Sequence, residues 1–123
     1  MPTIVHFDVA AENPERAKKF YEKIFGWKII RPPGPIEYYL IETKGLKGED
    51  GVAGGLGKRG APNQKITNYF GVESVEKYAQ LVEEAHGKVL QRKMIVPGWG
   101  YLTTCEDTEG NVFGLWEEDS NAR

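Results

Sequence analysis

The sequence holds a single cysteine, Cys105, so no internal disulfide staples the fold. No window approaches the ~20 continuous apolar residues of a membrane span. Its start lacks the basic residues and apolar run of a secretory signal. Neither charge is in excess: 16 Lys and Arg stand against 18 Asp and Glu, interspersed along the chain, for a net charge of −2. That balance leaves no broad basic face for nucleic acid or an anionic membrane. The expectation is a cytoplasmic protein with neither nucleic acid nor membrane as partner. Cys105 lies between Thr104 and Glu106, which offer no base and no positive charge to lower its pKa. It reads as a core residue rather than a nucleophile.

The 123 residues are most economically one domain, large enough to bury a core. Ile4 to Val9 alternates and is rich in β-formers, which predicts a strand. A helix follows. Asn13 can cap it, Pro14 suits its first position and Gly26 its exit, while Ala17, Phe20, Tyr21, Ile24 and Phe25 fall on one apolar face. Lys28 to Ile30 and Tyr38 to Ile41 read as strands on either side of the turn-rich PPGP.

Shifting the chain by 61 positions lays this pattern on the second half. Val9 falls on Phe70, Ala17, Phe20, Tyr21 and Ile24 on Tyr78, Leu81, Val82 and Ala85, and Gly26 on Gly87, the expected exit of the second helix. With a further two-residue shift, Gly55-Leu56 falls on Gly114-Leu115. Two tandem copies are therefore expected, module one about 1–60 and module two about 61–123. One copy cannot bury its sheet and helix face alone. The predicted fold is α+β: two βαβββ modules forming a curved, partly closed mixed sheet with helices outside and a concave inner face fit for a small molecule.

HFDVAAENPERAKKFYEKIFGW, FGVESVEKYAQLVEEAHGKV and DTEGNVFGLWE together resemble the glyoxalase, bleomycin-resistance and extradiol dioxygenase superfamily, also called the vicinal oxygen chelate fold. The resemblance covers nearly the whole chain. It implies one of several activities: metal-dependent isomerases and dioxygenases, transferases, or metal-free proteins that bind drugs. It also implies a homodimer. Metalloenzymes of this kind carry a histidine in the first strand of one or both modules and a carboxylate in each last strand. Carried onto this chain, those positions are His6, Thr67, Gly55 and Gly114. Three of the four lack the expected ligand, so no metal and no other cofactor is expected.

His6 and Asp8 sit two apart on one strand and share a face, as a candidate acid/base pair or polar ligand contact. The same parity selects Thr67, Tyr69 and Gly71, and Val112, Gly114 and Trp116. With Gly55, Trp99 in PGWG, and Tyr38 or Tyr39, these are the candidate ligand-binding residues, and they suit a small apolar or aromatic molecule. Gly114, between Val112 and Trp116, is expected to open room there. GLGKRG (55–60) matches a dinucleotide loop only formally, because no helix pattern follows; it is expected to be a flexible linker. His86 is expected on the surface at the end of the second helix. The leading reading is a metal-free small-molecule binder; the alternative is a metal-dependent lyase, isomerase or dioxygenase using His6.

Overall fold

The computed structural model describes residues 2–123. Along the chain run β1 (Ile4–Ala11), α1 (Pro14–Phe25), β2 (Lys28–Ile30), β3 (Tyr38–Glu42) and β4 (Ala53–Lys58). Then come β5 (Thr67–Gly71), α2 (Val75–Glu84), β6 (Lys88–Val96), β7 (Gly100–Glu106) and β8 (Val112–Glu118). This is the α+β order βαβββ twice over, as the internal offset requires. His6–Ile66 make one compact unit; Thr67–Arg123 with the residues up to Val5 make the other. In the second unit the Gly71 amide donates to the Thr3 carbonyl at 3.0 Å, and a Cβ at Gly71 would meet Val5 Cγ1 at 2.9 Å.

The first unit has strand order β2-β3-β4-β1. β1 runs parallel to β4, and β4–β3 and β3–β2 are antiparallel. Asn13 starts α1 as expected, its side-chain oxygen accepting from the Arg16 amide at 3.0 Å; Pro14 follows, and Gly26 ends the helix in the left-handed region at φ 66°. The core is Val9, Ala11, Ile29, Tyr39, Ile41 and Leu56, with Phe7, Ala17, Tyr21 and Trp27 packed against it. Only part of the predicted helix face is covered: Phe20, Ile24 and Phe25 are 57%, 55% and 59% exposed.

The expected linker at 55–60 is corrected by β4. Gly55 to Lys58 lie inside the strand, Leu56 is fully buried, and only Arg59 and Gly60 follow it. The glycines there serve close approach, not flexibility. A Cβ at Gly54 would sit 2.7 Å from the Phe7 ring on the helix side. At Gly55 it would overlap the Tyr38 hydroxyl on the other side, so large rings flank β4 on both faces.

The second unit has order β5-β8-β7-β6. β5 and β8 are parallel, while β7 pairs antiparallel with β8 and β6. Val75, Cys105 and Leu115 form its core, with Val72, Tyr78, Val82, Val89, Tyr101 and Phe113 around them. Burial pushes the Cys105 thiol up, in keeping with an unreactive core residue. The exit of α2 differs from the expected one. The helix ends at Glu84, and His86, at φ 72°, takes the left-handed position instead of Gly87. Gly87 is small for another reason: a Cβ there would lie 2.8 Å from both the Glu106 carbonyl and Val82 Cγ1. In the DTEGN turn the Asp107 carboxylate accepts from the Glu109 and Asn111 amides at 2.8 and 2.9 Å. Bonds from Asn111 and Glu109 hold its pKa below the usual carboxylate value.

Candidate functional site

Strand alternation in the first unit sends Val9, Ala11, Tyr39, Ile41 and Leu56 to the helix side. The register pairs Asp8 with Gly55, Ala10 with Gly57 and Tyr38 with Gly57. His6, Asp8, Tyr38, Leu40, Gly55 and Gly57 thus share the face away from α1. This separates the two neighbouring tyrosines. Tyr39 is buried, and its hydroxyl lies 2.9 Å from Glu15 and 3.1 Å from Glu37. Those carboxylates, Glu15 first, push its phenol up to about 12. Tyr38 belongs with His6.

Three side chains converge there. The Tyr38 hydroxyl donates to Asp8 Oδ1 at 2.9 Å, and His6 Nε2 lies 2.9 Å from the same oxygen. An ionised carboxylate only accepts, so a bond to it from His6 places a proton on Nε2. The His6 and Asp8 side chains are about one-third exposed, at 33% and 32%. One carboxylate oxygen therefore orients both an imidazole and a phenol on a half-open face, an arrangement able to hold and exchange a proton. Beside it, on the same face, Leu40 and its strand partner Ile30 are 49% and 48% exposed.

Gly55 is the seat of this cluster. A Cβ there would overlap the Tyr38 hydroxyl and lie 2.5 Å from Asp8 Oδ1, and a Cβ at Gly57 would touch the Tyr38 ring at 3.3 Å. In the second unit Gly114 is the strand partner of Tyr69. A Cβ at Gly114 would overlap Cδ1 and Cε1 of Tyr69 and lie 3.0 Å from its Cγ. The expectation that Gly114 opens room is thus corrected: the Tyr69 ring fills the space. Trp116 shares that face and covers Gly100, where a Cβ would meet its Cζ2 at 2.9 Å. Thr67 stands at the start of β5, two residues before Tyr69. Trp99, 70% exposed, lies in the turn between β6 and β7. It is several residues along the sheet from the pair formed by Thr104 and Gly114.

The metal that the resemblance implies has little to hold it. Module one offers the His6 imidazole and, at Gly55, no donor. Module two offers the Thr67 hydroxyl and, at Gly114, no donor. Both glycine positions lie under tyrosines, and a stable divalent centre needs at least three protein donors. Among the described residues no cluster of three or more His, Cys, Asp or Glu could hold a metal ion. The residues present do not fit the group.

Residues 3–115 match the family described as the Glyoxalase/Bleomycin resistance protein/Dioxygenase superfamily. The chain is 28% identical over 113 residues to proteins of Mycobacterium bovis and Mycobacterium tuberculosis named "Putative glyoxylase CFP32". The match takes 89% of this chain and 43% of those proteins, so the chain spans less than half their length. Among solved structures it is similar to a methylmalonyl-CoA epimerase in complex with methylmalonyl-CoA and NH4+, at TM-score 0.71 and 13% identity, covering 99% and 98% of the two chains. A glyoxalase/bleomycin resistance protein/dioxygenase superfamily member from Vibrio splendidus gives TM-score 0.65 at 14% identity, covering 97% and 100%. These two structural likenesses are of fold. With a family match that runs from β1 into β8, the chain belongs to the Glyoxalase/Bleomycin resistance protein/Dioxygenase superfamily.

Proposed function

We propose that the protein binds a small, largely apolar or aromatic molecule on the His6, Asp8 and Tyr38 face of its first module, and does so without a metal. The observation that carries this reading is the Tyr38 hydroxyl, which stands over Gly55 and bonds to Asp8 at the position where the resemblance implies a metal-binding carboxylate. An oriented polar cluster remains, flanked by the exposed Leu40 and Ile30. A flat apolar body would lie against those side chains while one polar group meets His6 or Tyr38. If the bound molecule carries an acidic proton, His6 held by Asp8 is the group to accept it. In the second module Tyr69 and Trp116 offer ring surface of the same kind.

A cytoplasmic homodimer is part of the proposal. Supporting it are Ile24 and Phe25, left exposed in the last turn of α1. No helix among the described residues is long and apolar enough to cross a membrane.

The test is an NMR titration with a panel of aromatic metabolites and drugs in the presence of a chelator. At least one compound should shift the His6, Asp8 and Tyr38 signals saturably, and Tyr38→Phe and His6→Ala should each weaken it. Stoichiometric nickel, zinc or iron in protein purified without chelator, lost on His6→Ala, would favour the metal-dependent lyase, isomerase or dioxygenase and overturn the proposal.

A further inference from the structure

A groove of about 520 Å³ lies on the helix side of the first unit, within the size range of small-ligand sites. Apart from Ala10, its β1 residues, Val9 and Ala11, point to the side of the sheet opposite His6. The parallel strands β1 and β4 both end there, at Ala11 and Lys58, and α1 begins there. The groove is lined by Ala11, Ala17, Phe20 and Tyr21 on its apolar part and by Arg16, Arg59 and Glu12 on its polar part. Glu12 and Arg59 also line an adjoining groove of about 350 Å³, with Lys58.

The two arginines come from different elements. Arg59 is tied across the end of β1: its amide donates to the Ala11 carbonyl at 3.0 Å and its Nε to the Ala10 carbonyl at 3.3 Å. Both bonds limit how far the Arg59 side chain can swing from the groove it lines. Arg16 reaches the same groove from the first turn of α1. Two arginines against Glu12 give the groove's own lining a formal charge of about +1 at pH 7, and Lys58 in the adjoining groove adds a second positive charge nearby. A guanidinium is a planar fork of N–H donors that matches phosphate oxygens, and a phosphate monoester carries about −1.5 to −2 charges with three acceptor oxygens. We propose that this groove is a second binding site, for a small organic phosphate monoester with an aromatic or apolar body. The phosphate bridges Arg16 and Arg59, and the body lies along Ala17 and Phe20. The site is independent of the one centred on His6.

Phenyl phosphate, titrated into isotope-labelled full-length protein at low salt, is the probe. Saturable shifts are expected at the amides of Ala11, Glu12, Ala17 and Arg59, with those of His6 and Tyr38 unmoved. Arg16→Gln and Arg59→Gln should each weaken binding about tenfold, the scale of one charge-assisted hydrogen bond. Glu12→Gln should tighten it several-fold, a gain that misfolding cannot imitate. Benzoate, with one charge, and inorganic phosphate, with no ring, should both bind more weakly. The proposal is overturned by an absence of saturable shifts, by shifts centred on His6, or by binding indifferent to both arginine substitutions and to Glu12→Gln.

Discussion

The two modules place a glycine at the same point of their last strand and cover it by different means. In module one Tyr38 comes from the antiparallel neighbour β3, and its hydroxyl end stands over Gly55, bonded to an Asp8 that also holds His6. In module two Tyr69 comes from the parallel neighbour β5, and the side of its ring nearest the backbone lies on Gly114. Tyr69 stands at the repeat position of Asp8 itself. A single backbone plan thus supports a polar cluster in one copy and an aromatic cover in the other.

The largest effect that separates the modules is expected from adding a methyl group at each glycine. Gly114→Ala drives Cβ into Tyr69 atoms close to the ring's root, which cannot move without a change of rotamer; overpacking of this kind costs about 1–3 kcal/mol. Gly55→Ala meets the far end of Tyr38, which can swing out, so denaturant unfolding should show a smaller loss. Equal losses would erase the distinction. A second comparison uses a double-mutant cycle between Tyr38→Phe and Asp8→Asn. The hydroxyl bond should give a coupling of about 0.5–1.5 kcal/mol in stability, and a cycle that closes to zero would remove it from the account.

Tyr39 gives a smaller effect with a defined sign. Its phenol, ordinarily near 10.0, is raised to about 12, so the folded state keeps a proton that the unfolded state loses first. That contribution is whole below about pH 10 and fades as pH climbs to about 12. Tyr39→Phe should flatten this part of the stability profile, and an unchanged alkaline slope would contradict the bond to Glu15. The smallest effect concerns Cys105. Fully buried, with its thiol raised by desolvation, it should react with an alkylating reagent only when the protein opens, as mass spectrometry along a denaturant series can follow.

What the sequence made legible was local or repeated. Asn13, Pro14 and Gly26 each act within one helix turn, so α1 could be placed from the residues alone. The repeat carried the second module with it. What stayed hidden depends on neighbours distant in sequence. The glycines of β4 looked like flexibility because the rings that demand them, Phe7 and Tyr38, come from other strands. The spacing of Phe20, Ile24 and Phe25 marked an apolar face but not what would cover it. Whether Tyr38 or Tyr39 faced His6 needed the register of β3 on β4. The candidate pair His6 and Asp8 was readable from strand alternation; the third member was not, although the alternation of glycines at 55 and 57 was the signal that a large side chain lay across them.

The most direct measurement is a crystal structure of the protein, grown without added metal and soaked with the tightest compound from the aromatic panel. The expected result is an organic molecule against His6, Tyr38 and Leu40, with the Tyr38 hydroxyl still bonded to Asp8 and no metal density beside His6. A metal ion bound to His6, with Tyr38 displaced from Gly55, would contradict it.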